Sequence, residues 1–306
     1  MTKAKPQPNH DHRAAALAQA DALRPELHRY CAGLMGSVID GEDVVQDTLV
    51  RAFAALTDMK ETPPLRPWLF RIAHNRALDL LRSRTVRIVE PMEAAADVAD
   101  PASPDPVESL MRREAVDTAV SRFAELPTVQ RSVVILKDVL DESLGEIAAL
   151  LDLTVDAVKG HLARGRARLR EINAQARPLQ RASPASAAVV RYVTLFNQRD
   201  WDALRALLAD DVKLIQSSHP PRKGAADVGL FFTIYANGPA VRLAPAFLDG
   251  REVIAVFNRS DTTPSNLMWL EWCDGRISLI RDTRHVRYVV EDAELVMATS
   301  GNDGSA

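Results

Sequence analysis

The first half of the chain carries apolar residues at helical spacing, and this pattern changes further along the sequence. Up to about residue 175, apolar positions recur at i, i+3, i+4 and i+7, which predicts helices. Beyond residue 187, two helical segments are followed by runs of alternating apolar and polar residues, which predict strands. The two patterns are separated by residues 176–187, a stretch rich in proline and serine. We therefore predict two all-α domains followed by an α+β domain.

A proline-rich acidic segment divides the helical half. Residues 90–108 contain four prolines among acidic residues and alanines, with no lysine or arginine. Such a composition cannot bury enough apolar surface to order itself, so it predicts a flexible tether. The predicted organisation is a helical domain (1–90), an acidic tether (91–110), a second helical domain (111–176), a linker (177–187), an α+β domain (188–295) and a disordered tail (296–306).

The second helical domain has the pattern of a tight helix-turn-helix. Glu125-Leu126-Pro127 opens a first helix. Ser143, with Glu146 three residues later, forms a capping box that starts a short second helix. After a brief turn, Thr154 is a suitable N-cap for a third helix. Two capped helices joined by a short turn favour a motif that places its last helix in the major groove of DNA.

This last helix has an apolar face and a polar face. Val158, Leu162, Gly165 and Leu169 form the stripe that packs on the domain, and the opposite face carries Asp156, Gly160, Ala163 and Arg164, flanked by Lys159 and Arg168. Gly160 and Ala163 are small enough to let the helix backbone approach a DNA groove closely. The Asp156 carboxylate could accept a hydrogen bond from a cytosine amino group, and Lys159 and Arg164 could reach guanine edges or phosphates. Residues 159–170 hold five cations and no acid. A basic, solvated helix is the alternative, and the two caps weigh against it.

The first helical domain contains two further patterned segments. A helix over 41–56 has an apolar stripe, and its other face carries Asp43, Gln46, Asp47 and Arg51; a solvated face is the simplest interpretation of these polar residues. A proline-rich loop then leads to a helix over 68–82, whose outer face carries Arg71, Asn75 and Arg82. Positively charged side chains and an amide next to aromatic residues are suited to binding separated DNA strands, because bases stack on aromatic rings and phosphates require positive charge. Trp68 at its start is by default a core residue, and contact with nucleic acid is the less favoured alternative.

Composition limits the remaining possibilities. The chain has 306 residues and a net charge of −3, so any nucleic-acid surface must be local. The two cysteines, Cys31 and Cys273, lie far apart and build neither a disulfide framework nor a CxxC metal site. The polar N-terminus has no signal-peptide pattern, and no window could span a bilayer. We expect no cofactor, no metal and a cytoplasmic location.

The helix-turn-helix resembles region 4 of bacterial sigma factors, and most closely the extracytoplasmic-function group. The resemblance lies in Glu125-Leu126-Pro127, Gln130-Arg131, residues 143–150 and the arginine-rich helix after Thr154. It implies that this helix reads the upstream (−35) promoter element. The DNA-binding residues it implies are Asp156, Lys159, Gly160, Ala163, Arg164, Arg166 and Arg168. His161 stands where the family often has arginine and Asp156 where glycine is frequent, which leaves the preferred base sequence open.

The first domain is similar to sigma region 2. The similarity rests on Glu42-Asp43-Val44-Val45-Gln46-Asp47-Thr48 and on the segment from Pro67 to Asn75. It implies that the first segment binds the clamp helices of the largest subunit of RNA polymerase, and that the second melts and holds the downstream (−10) element. The implied residues are Asp43, Gln46, Asp47 and Arg51 for the polymerase, and Trp68, Arg71, Asn75 and Arg82 for the DNA.

The α+β domain resembles the SnoaL-like (nuclear-transport-factor-2-like) cone fold in its order of elements. This fold often encloses an apolar pocket, and some relatives are cyclases or isomerases with a pocket Asp or His. The candidates here are Asp211, His219, Asp282 and His285, each expected to be a surface or hydrogen-bonded residue. The Asp-Gly-Gly-Gly-Lys motif of some fused sigma factors is absent from the equivalent residues 217–224.

The whole pattern predicts a sigma factor that binds core RNA polymerase and promoter DNA, and not an enzyme. The C-terminal domain is expected to fold back on the sigma domains or to sense a small ligand. One alternative is a stand-alone helix-turn-helix regulator, although such a protein gives residues 68–82 no role. Another is a cyclase or isomerase with helical accessory domains.

Overall fold

The computed structural model describes residues 8–59, 62–85, 120–175, 183–217, 219–258, 261–291 and 293–299. Its internal contacts divide the chain into two compact units, Met1–Arg177 and Pro178–Ala306. The acidic tether and most of the linker predicted above lie outside the described residues. No helix in the described part of the chain is both long and apolar enough to cross a membrane.

Four helices form the N-terminal part of the first unit: α1 (Pro8–Ala22), α2 (Arg24–Met35), α3 (Val38–Asp58) and α4 (Leu65–Thr85). Helix α2 ends at Gly36, whose φ of 70° is a left-handed conformation that glycine adopts without strain. Ser37 then caps α3, its hydroxyl accepting from the Asp40 amide at 3.3 Å. The apolar stripes predicted for α3 and α4 face the core, where their central residues are buried.

In the rest of the described part of the first unit the helices are α5 (Val120–Phe123), α6 (Thr128–Val134), α7 (Leu144–Leu151) and α8 (Val155–Ala174). The predicted capping box is confirmed: the Ser143 hydroxyl accepts from the Glu146 amide at 3.2 Å, and the Glu146 carboxylate accepts from the Ser143 amide at 3.0 Å. Asp152 ends α7 in a left-handed conformation, and Thr154 caps α8, accepting from the Ala157 amide at 3.1 Å. The helix-turn-helix therefore forms where the caps predicted it.

Helix α6 continues into a π-helical turn over Ile135–Val139, closed by a bond from the Leu140 amide to the Ile135 carbonyl at 3.0 Å. The apolar spacing did not reveal this turn, since one widened turn displaces the pattern by a single residue. The turn orients the Asp138 carboxyl inward, where its exposed fraction is 1%. It thereby provides an anion beneath α8.

The two helical parts share one hydrophobic core. Buried residues of α2, α3 and α4 form a single cluster with those of α5 to α8. The two predicted helical domains therefore pack against each other within one compact unit. The reason is visible at Phe123 and Ile135, because both are buried and both lie beside Gly33 of α2. Their apolar side chains predict burial, but not the element that covers them.

The second unit is an α+β fold, as predicted. Helices α9 (Ala187–Gln198), α10 (Trp201–Ala206) and α11 (Ala225–Asn237) accompany a seven-stranded sheet in the order β2-β1-β6-β5-β4-β3-β7. Strands β1 and β6 pair in parallel, and the other neighbours are antiparallel. The bounds are β1 (Leu208–Gln216), β2 (Arg222–Lys223), β3 (Val241–Leu248), β4 (Arg251–Asn258), β5 (Asn266–Cys273), β6 (Arg276–Asp282) and β7 (Val296–Met297), with a short helix α12 (Tyr288–Glu291) before β7.

One boundary of this unit differs from the prediction. We placed Val296 and Met297 in a disordered tail, but they form β7, which pairs with Phe247 and Ala246 at the edge of β3. A two-residue strand has too few positions to show an alternating pattern, so only the pairing partner reveals it. The short β2 and α12 were missed for the same reason. Residues 300–306 lie outside the described part of the chain.

Candidate nucleic-acid interface

Helix α8 presents one solvent-facing side between its N-cap and its arginine-rich end. Val158, Leu162, Gly165 and Leu169 are buried against the domain, as the sequence predicted. On the opposite side Asp156 and Ala163 are exposed, while Lys159, Gly160 and Arg164 are half-buried. The helix therefore brings these five residues, predicted to contact the upstream element, together on one side.

The polar groups of this face interact with one another. Lys159 Nζ lies 3.6 Å from Asp156 Oδ1, and the Arg164 guanidinium lies over Gly160, where a Cβ would approach Nη1 to 3.4 Å. Arg164 Nη2 is 3.4 Å from His161 Nδ1. Burial, and then the neighbouring Arg164 charge, lower the pKa of His161, so its ring is neutral at pH 7 and accepts this hydrogen bond. In the sequence His161 stands out only as a departure from the family pattern, whereas the structure places it beside Arg164, which is predicted to contact DNA.

The last two predicted arginines of α8 have protein partners. Arg166 is bidentate, with Nε 3.0 Å from Asp138 Oδ2 and Nη2 2.7 Å from Asp138 Oδ1, and only 13% of its side chain is exposed. This pair fastens α8 to the π-helical turn. Arg168 is exposed and pairs with Glu171 at 2.8 Å. Arg166 thus joins α8 to the π-helical turn beneath it, whereas Arg168 lies on the solvent side.

Helix α4 holds the residues predicted to contact the downstream element. Arg71, Asn75 and Arg82 are exposed along one side, and Trp68 is half-buried, packing against the core. Arg71 Nη2 donates to the Ala149 carbonyl of α7 at 2.8 Å. Arg82 lies 3.9 Å from Asp79 on the same helix. The predicted residues therefore share a face, and one of them is engaged by another helix.

Helix α3 carries the residues predicted to contact the polymerase. Asp43, Gln46 and Asp47 are half-buried and Arg51 is exposed. Asp47 accepts from Arg76 of α4 at 2.7 Å, a contact between α3 and α4 that the sequence analysis did not anticipate. Aspartate and arginine are too common on helix surfaces for this pairing to be read from sequence alone.

The four candidates of the C-terminal unit have different environments. Asp211, His219 and His285 are exposed, while Asp282 is 1% exposed. The alternating apolar and polar pattern along β6 did not predict the direction of the Asp282 side chain. In the structure this side chain points inward. Burial is the largest influence on this carboxyl and raises its pKa from 3.8 to about 6. The rings of His219 and His285 lie 4.3 Å apart, centroid to centroid. The pKa of His285 is lowered, and burial of its ring is the largest cause.

Hydrogen bonds surround the Asp282 carboxyl. Oδ1 accepts from Asn266 Nδ2 at 2.7 Å and from the Arg284 amide at 3.0 Å. Oδ2 accepts from Gln216 Nε2 at 3.1 Å and from the Tyr235 hydroxyl at 3.4 Å. Four donors satisfy the carboxylate, as a buried charged group requires. Within the described ranges, no group of three or more His, Cys, Asp or Glu side chains could hold a metal ion.

Three family models match the chain in succession. Sigma-70 region 2 matches residues 20–87, Sigma-70 region 4 matches residues 119–169, and the SnoaL-like domain matches residues 189–292. The first two matches cover the helices that carry the predicted DNA-binding and polymerase-binding residues. The third covers nearly all of the second unit.

Curated relatives and solved structures are similar to this chain over part or most of its length. The ECF RNA polymerase sigma factor SigG of Mycobacterium tuberculosis is 30% identical over 309 aligned positions, spanning 89% of this chain and 82% of the relative. The RNA polymerase sigma factor CnrH of Cupriavidus metallidurans is 39% identical over 137 positions, 42% of this chain and 71% of the relative. The crystal structure of the Mycobacterium tuberculosis sigma factor SigJ aligns with 20% identity and a TM-score of 0.34, over 89% of this chain and 97% of that chain.

The matches to Sigma-70 regions 2 and 4 assign the helix-turn-helix and the helical module before it to a DNA-binding class of transcription proteins. The order of the two sigma-region matches along the chain and the 30% identity to SigG narrow this class to one family. The chain belongs to the extracytoplasmic-function RNA polymerase sigma factors, which bind core polymerase and direct promoter-specific initiation, and it carries a SnoaL-like domain at its C-terminal end.

Proposed function

We propose that α8 reads the upstream promoter element, that α4 holds the separated strands of the downstream element, and that α3 contacts the largest subunit of the polymerase. The observation that carries this proposal is the outer face of α8. A helix capped by Thr154 and buried along one stripe carries Asp156, Lys159, Ala163 and Arg164 on its opposite side, where the first and third are exposed and the other two half-buried. A close-fitting recognition helix needs small residues and hydrogen-bonding side chains on one side.

The three surfaces differ in the chemistry that they offer. On α4, the exposed Arg71, Asn75 and Arg82 supply donors and positive charge for phosphates and unpaired bases. On α3, Asp43 and Asp47 supply negative charge for a protein surface. We assign Arg166 to the support of α8, because its bidentate pair with Asp138 occupies its guanidinium.

The proposal divides the chain into a polymerase- and −10-binding part up to residue 90, a −35-binding part over 111–176 and a regulatory part from residue 188. In this assignment the C-terminal unit modulates the sigma activity, through contact with the sigma helices or through a small ligand. The protein would act in the cytoplasm, where the polymerase and the promoter are found.

Run-off transcription with purified bacterial core polymerase tests the assignment. The templates are genomic fragments that include the region upstream of the protein's own gene. We expect defined transcripts only when the chain is added, and their start sites identify both promoter elements.

Variants assign the surfaces in the same assay. Lys159→Ala should reduce transcription from templates that depend on the upstream element, whereas Asn75→Ala should reduce strand opening, measured by permanganate reactivity of unpaired thymines. The absence of any transcript, combined with binding of the free chain to duplex DNA, would instead identify a stand-alone DNA-binding regulator.

A further inference from the structure

His74 of α4 lies at the border between the core and the helix face that carries Arg71 and Asn75. At about 100° per residue, His74 lies about 60° from Arg71 around the helix axis, on the side toward Phe70. Phe70 is 2% exposed, Arg71 is exposed, and His74 between them is half-buried. One edge of the His74 ring can therefore contact the core while the other edge faces the outer side of α4.

A buried tyrosine fixes one nitrogen of this ring. The Tyr30 hydroxyl of α2 lies 2.7 Å from His74 Nδ1, and Tyr30 is 0% exposed. Burial raises the pKa of the Tyr30 hydroxyl, so its proton stays on the oxygen, and a buried phenolic hydroxyl requires an acceptor. The hydroxyl therefore donates to Nδ1. With Nδ1 as the acceptor, the ring hydrogen of a neutral imidazole is on Nε2.

His74 is neutral at the pH of the cell interior. Burial is the first cause that lowers its pKa, to about 4, and the neighbouring Arg82 charge is the second. Nε2 lies across the ring from Nδ1, so the Nε2–H group points away from Tyr30 and from the core. His74 thus directs one uncharged donor toward the outer side of α4.

Another histidine of the same unit provides a contrast. His28 of α2 is 0% exposed, and its Nε2 lies 3.1 Å from the Val38 carbonyl, which identifies it as a hydrogen-bonded core residue. For His74, no described residue forms a hydrogen bond with Nε2. His74 is therefore anchored at its inner nitrogen, and its outer nitrogen is placed to donate to a group outside the protein.

The chemistry of this donor favours a base over a phosphate. Phosphates are bound mainly through positive charge, which the neutral His74 ring does not supply. A single N–H donor matches a carbonyl oxygen or a ring nitrogen of a base, and these acceptors become accessible when the two strands separate. Arg71 and Arg82, on the same side of the helix, supply the charge for the backbone of that strand.

We propose that His74 is a further specificity-determining residue of α4, which donates from Nε2 to an acceptor on one unpaired base of the downstream element, with Tyr30 as its positioning residue. Tyr30 touches no DNA in this arrangement, and acts by orienting the ring and by fixing which nitrogen carries the hydrogen. This inference rests on the proposed function in assigning α4 to the downstream element. It adds an uncharged contact with a single base.

Nitrogen NMR of the full-length chain, labelled with nitrogen-15 in its histidines, tests the state of the ring without DNA. The His74 signals are those lost in His74→Gln. We expect a hydrogen on Nε2, none on Nδ1 and no titration from about pH 5.5 to about pH 8. A hydrogen on Nδ1, or a titration near the ordinary pKa of 6.5, would overturn the proposal.

The base preference is measured with the holoenzyme on templates that differ by single bases in the non-template strand of the downstream element. His74→Phe keeps an aromatic ring and removes both nitrogens, whereas His74→Gln keeps a donor. We expect His74→Phe to lose up to about tenfold of the preference at one position, as for one hydrogen bond, and His74→Gln to retain part of it. The salt dependence of binding should stay unchanged in both, whereas Arg82→Ala should reduce it.

Tyr30→Phe separates positioning from contact, because it removes the hydroxyl and keeps the ring that packs against Phe70. We expect it to reduce the preference at the same position, and expect the double variant with His74→Phe to lose no more than His74→Phe alone. Tyr192→Phe, at another fully buried tyrosine in the C-terminal unit, is the matched control and should leave the preference unchanged. If circular dichroism shows that Tyr30→Phe is unfolded, the two His74 variants and the NMR decide the question.

An unchanged preference in folded His74→Phe would overturn the proposal. An equal loss at every position would also overturn it, since that result indicates a structural role for His74. Both outcomes leave the proposed function intact as long as the wild-type chain starts defined transcripts and Asn75→Ala reduces strand opening. No transcripts from the wild-type chain would overturn the proposed function itself, and with it the role of His74.

Discussion

Asp282 illustrates how one residue of β6 connects several elements of the C-terminal unit. Its carboxyl accepts from Gln216 of β1, Tyr235 of α11 and Asn266 of β5. The sequence marked Asp282 as one of four candidates, and only the packing separated it from the three exposed ones. Burial raises the pKa of this carboxyl to about 6, because the interior disfavours the charged form more than the four donors favour it.

This raised pKa predicts a pH-dependent stability of the C-terminal unit. The protonated carboxyl is favoured in the folded state, so its contribution is fully present below the ordinary pKa of 3.8 and is lost as the pH rises through about 6. A difference of about two pKa units corresponds to about 3 kcal/mol. We expect the free energy of unfolding to fall by about this amount between pH 4 and pH 7, and expect Asp282→Asn to abolish the decrease.

Urea denaturation followed by tryptophan emission measures this effect in a Trp68→Phe background. The remaining tryptophans, Trp201, Trp269 and Trp272, all lie in the C-terminal unit. His285 has a lowered pKa and changes stability in the opposite direction, so the wild type and the Asn variant are compared at each pH. Equal slopes for the two proteins would contradict the prediction.

On the face of α8 that we propose to contact DNA, Arg164 is the arginine that we propose to read a base. Its guanidinium lies over Gly160 and beside His161. We expect Arg164→Ala to weaken promoter binding by the holoenzyme by about 1–3 kcal/mol and to relax the preference at one base pair. Arg170→Ala, on the same helix, is the matched control and should weaken all sequences alike. Competition among templates with single base-pair changes measures both the loss of binding and the base preference. An unchanged base preference in Arg164→Ala would count against base reading by Arg164.

At the scale of elements, the caps and apolar stripes predicted most helices and strands. Ser143, Glu146 and Thr154 mark the starts of α7 and α8 in the sequence because a capping side chain acts on amides two or three residues away. The π-helical turn at Ile135–Val139 could not be predicted in this way. Its consequence is tertiary, since it directs Asp138 toward Arg166 of another helix.

The Asp138–Arg166 pair predicts that α8 depends on a buried charge. Asp138→Asn removes the anion that accepts two hydrogen bonds from Arg166, whose side chain is 13% exposed. We expect a loss of about 3 kcal/mol in the stability of the helix-turn-helix, because removing one member of a buried ion pair is strongly destabilising. Hydrogen exchange of the α8 amides measures this loss. Glu171→Gln, which breaks the exposed pair with Arg168, should cost less than about 1 kcal/mol; equal effects of the two variants would refute the prediction.

At the scale of the whole molecule, the chain contains a sigma factor and a SnoaL-like unit with a boundary near Arg177. If the second unit modulates the first, its removal changes promoter use without unfolding the sigma helices. We expect a chain ending at Arg177 to start transcripts at the same sites as the full chain, with an altered yield. Run-off transcription with both chains, on the same templates, measures the ratio. An equal yield and specificity would show that the C-terminal unit has no regulatory influence under those conditions.

The sequence by itself determined most of the helices and strands, the order of the domains and the family. These features follow from local interactions, such as caps, apolar periodicity and turn residues, which are written into neighbouring positions. The tertiary structure decided what the local signals leave open: that Asp282 points inward, that Arg166 supports α8, and that Gly33 lies against Ile135. A sequence shows that a side chain is suited to burial or to pairing. Its partner, however, comes from a distant part of the chain, and only the packing brings the two together.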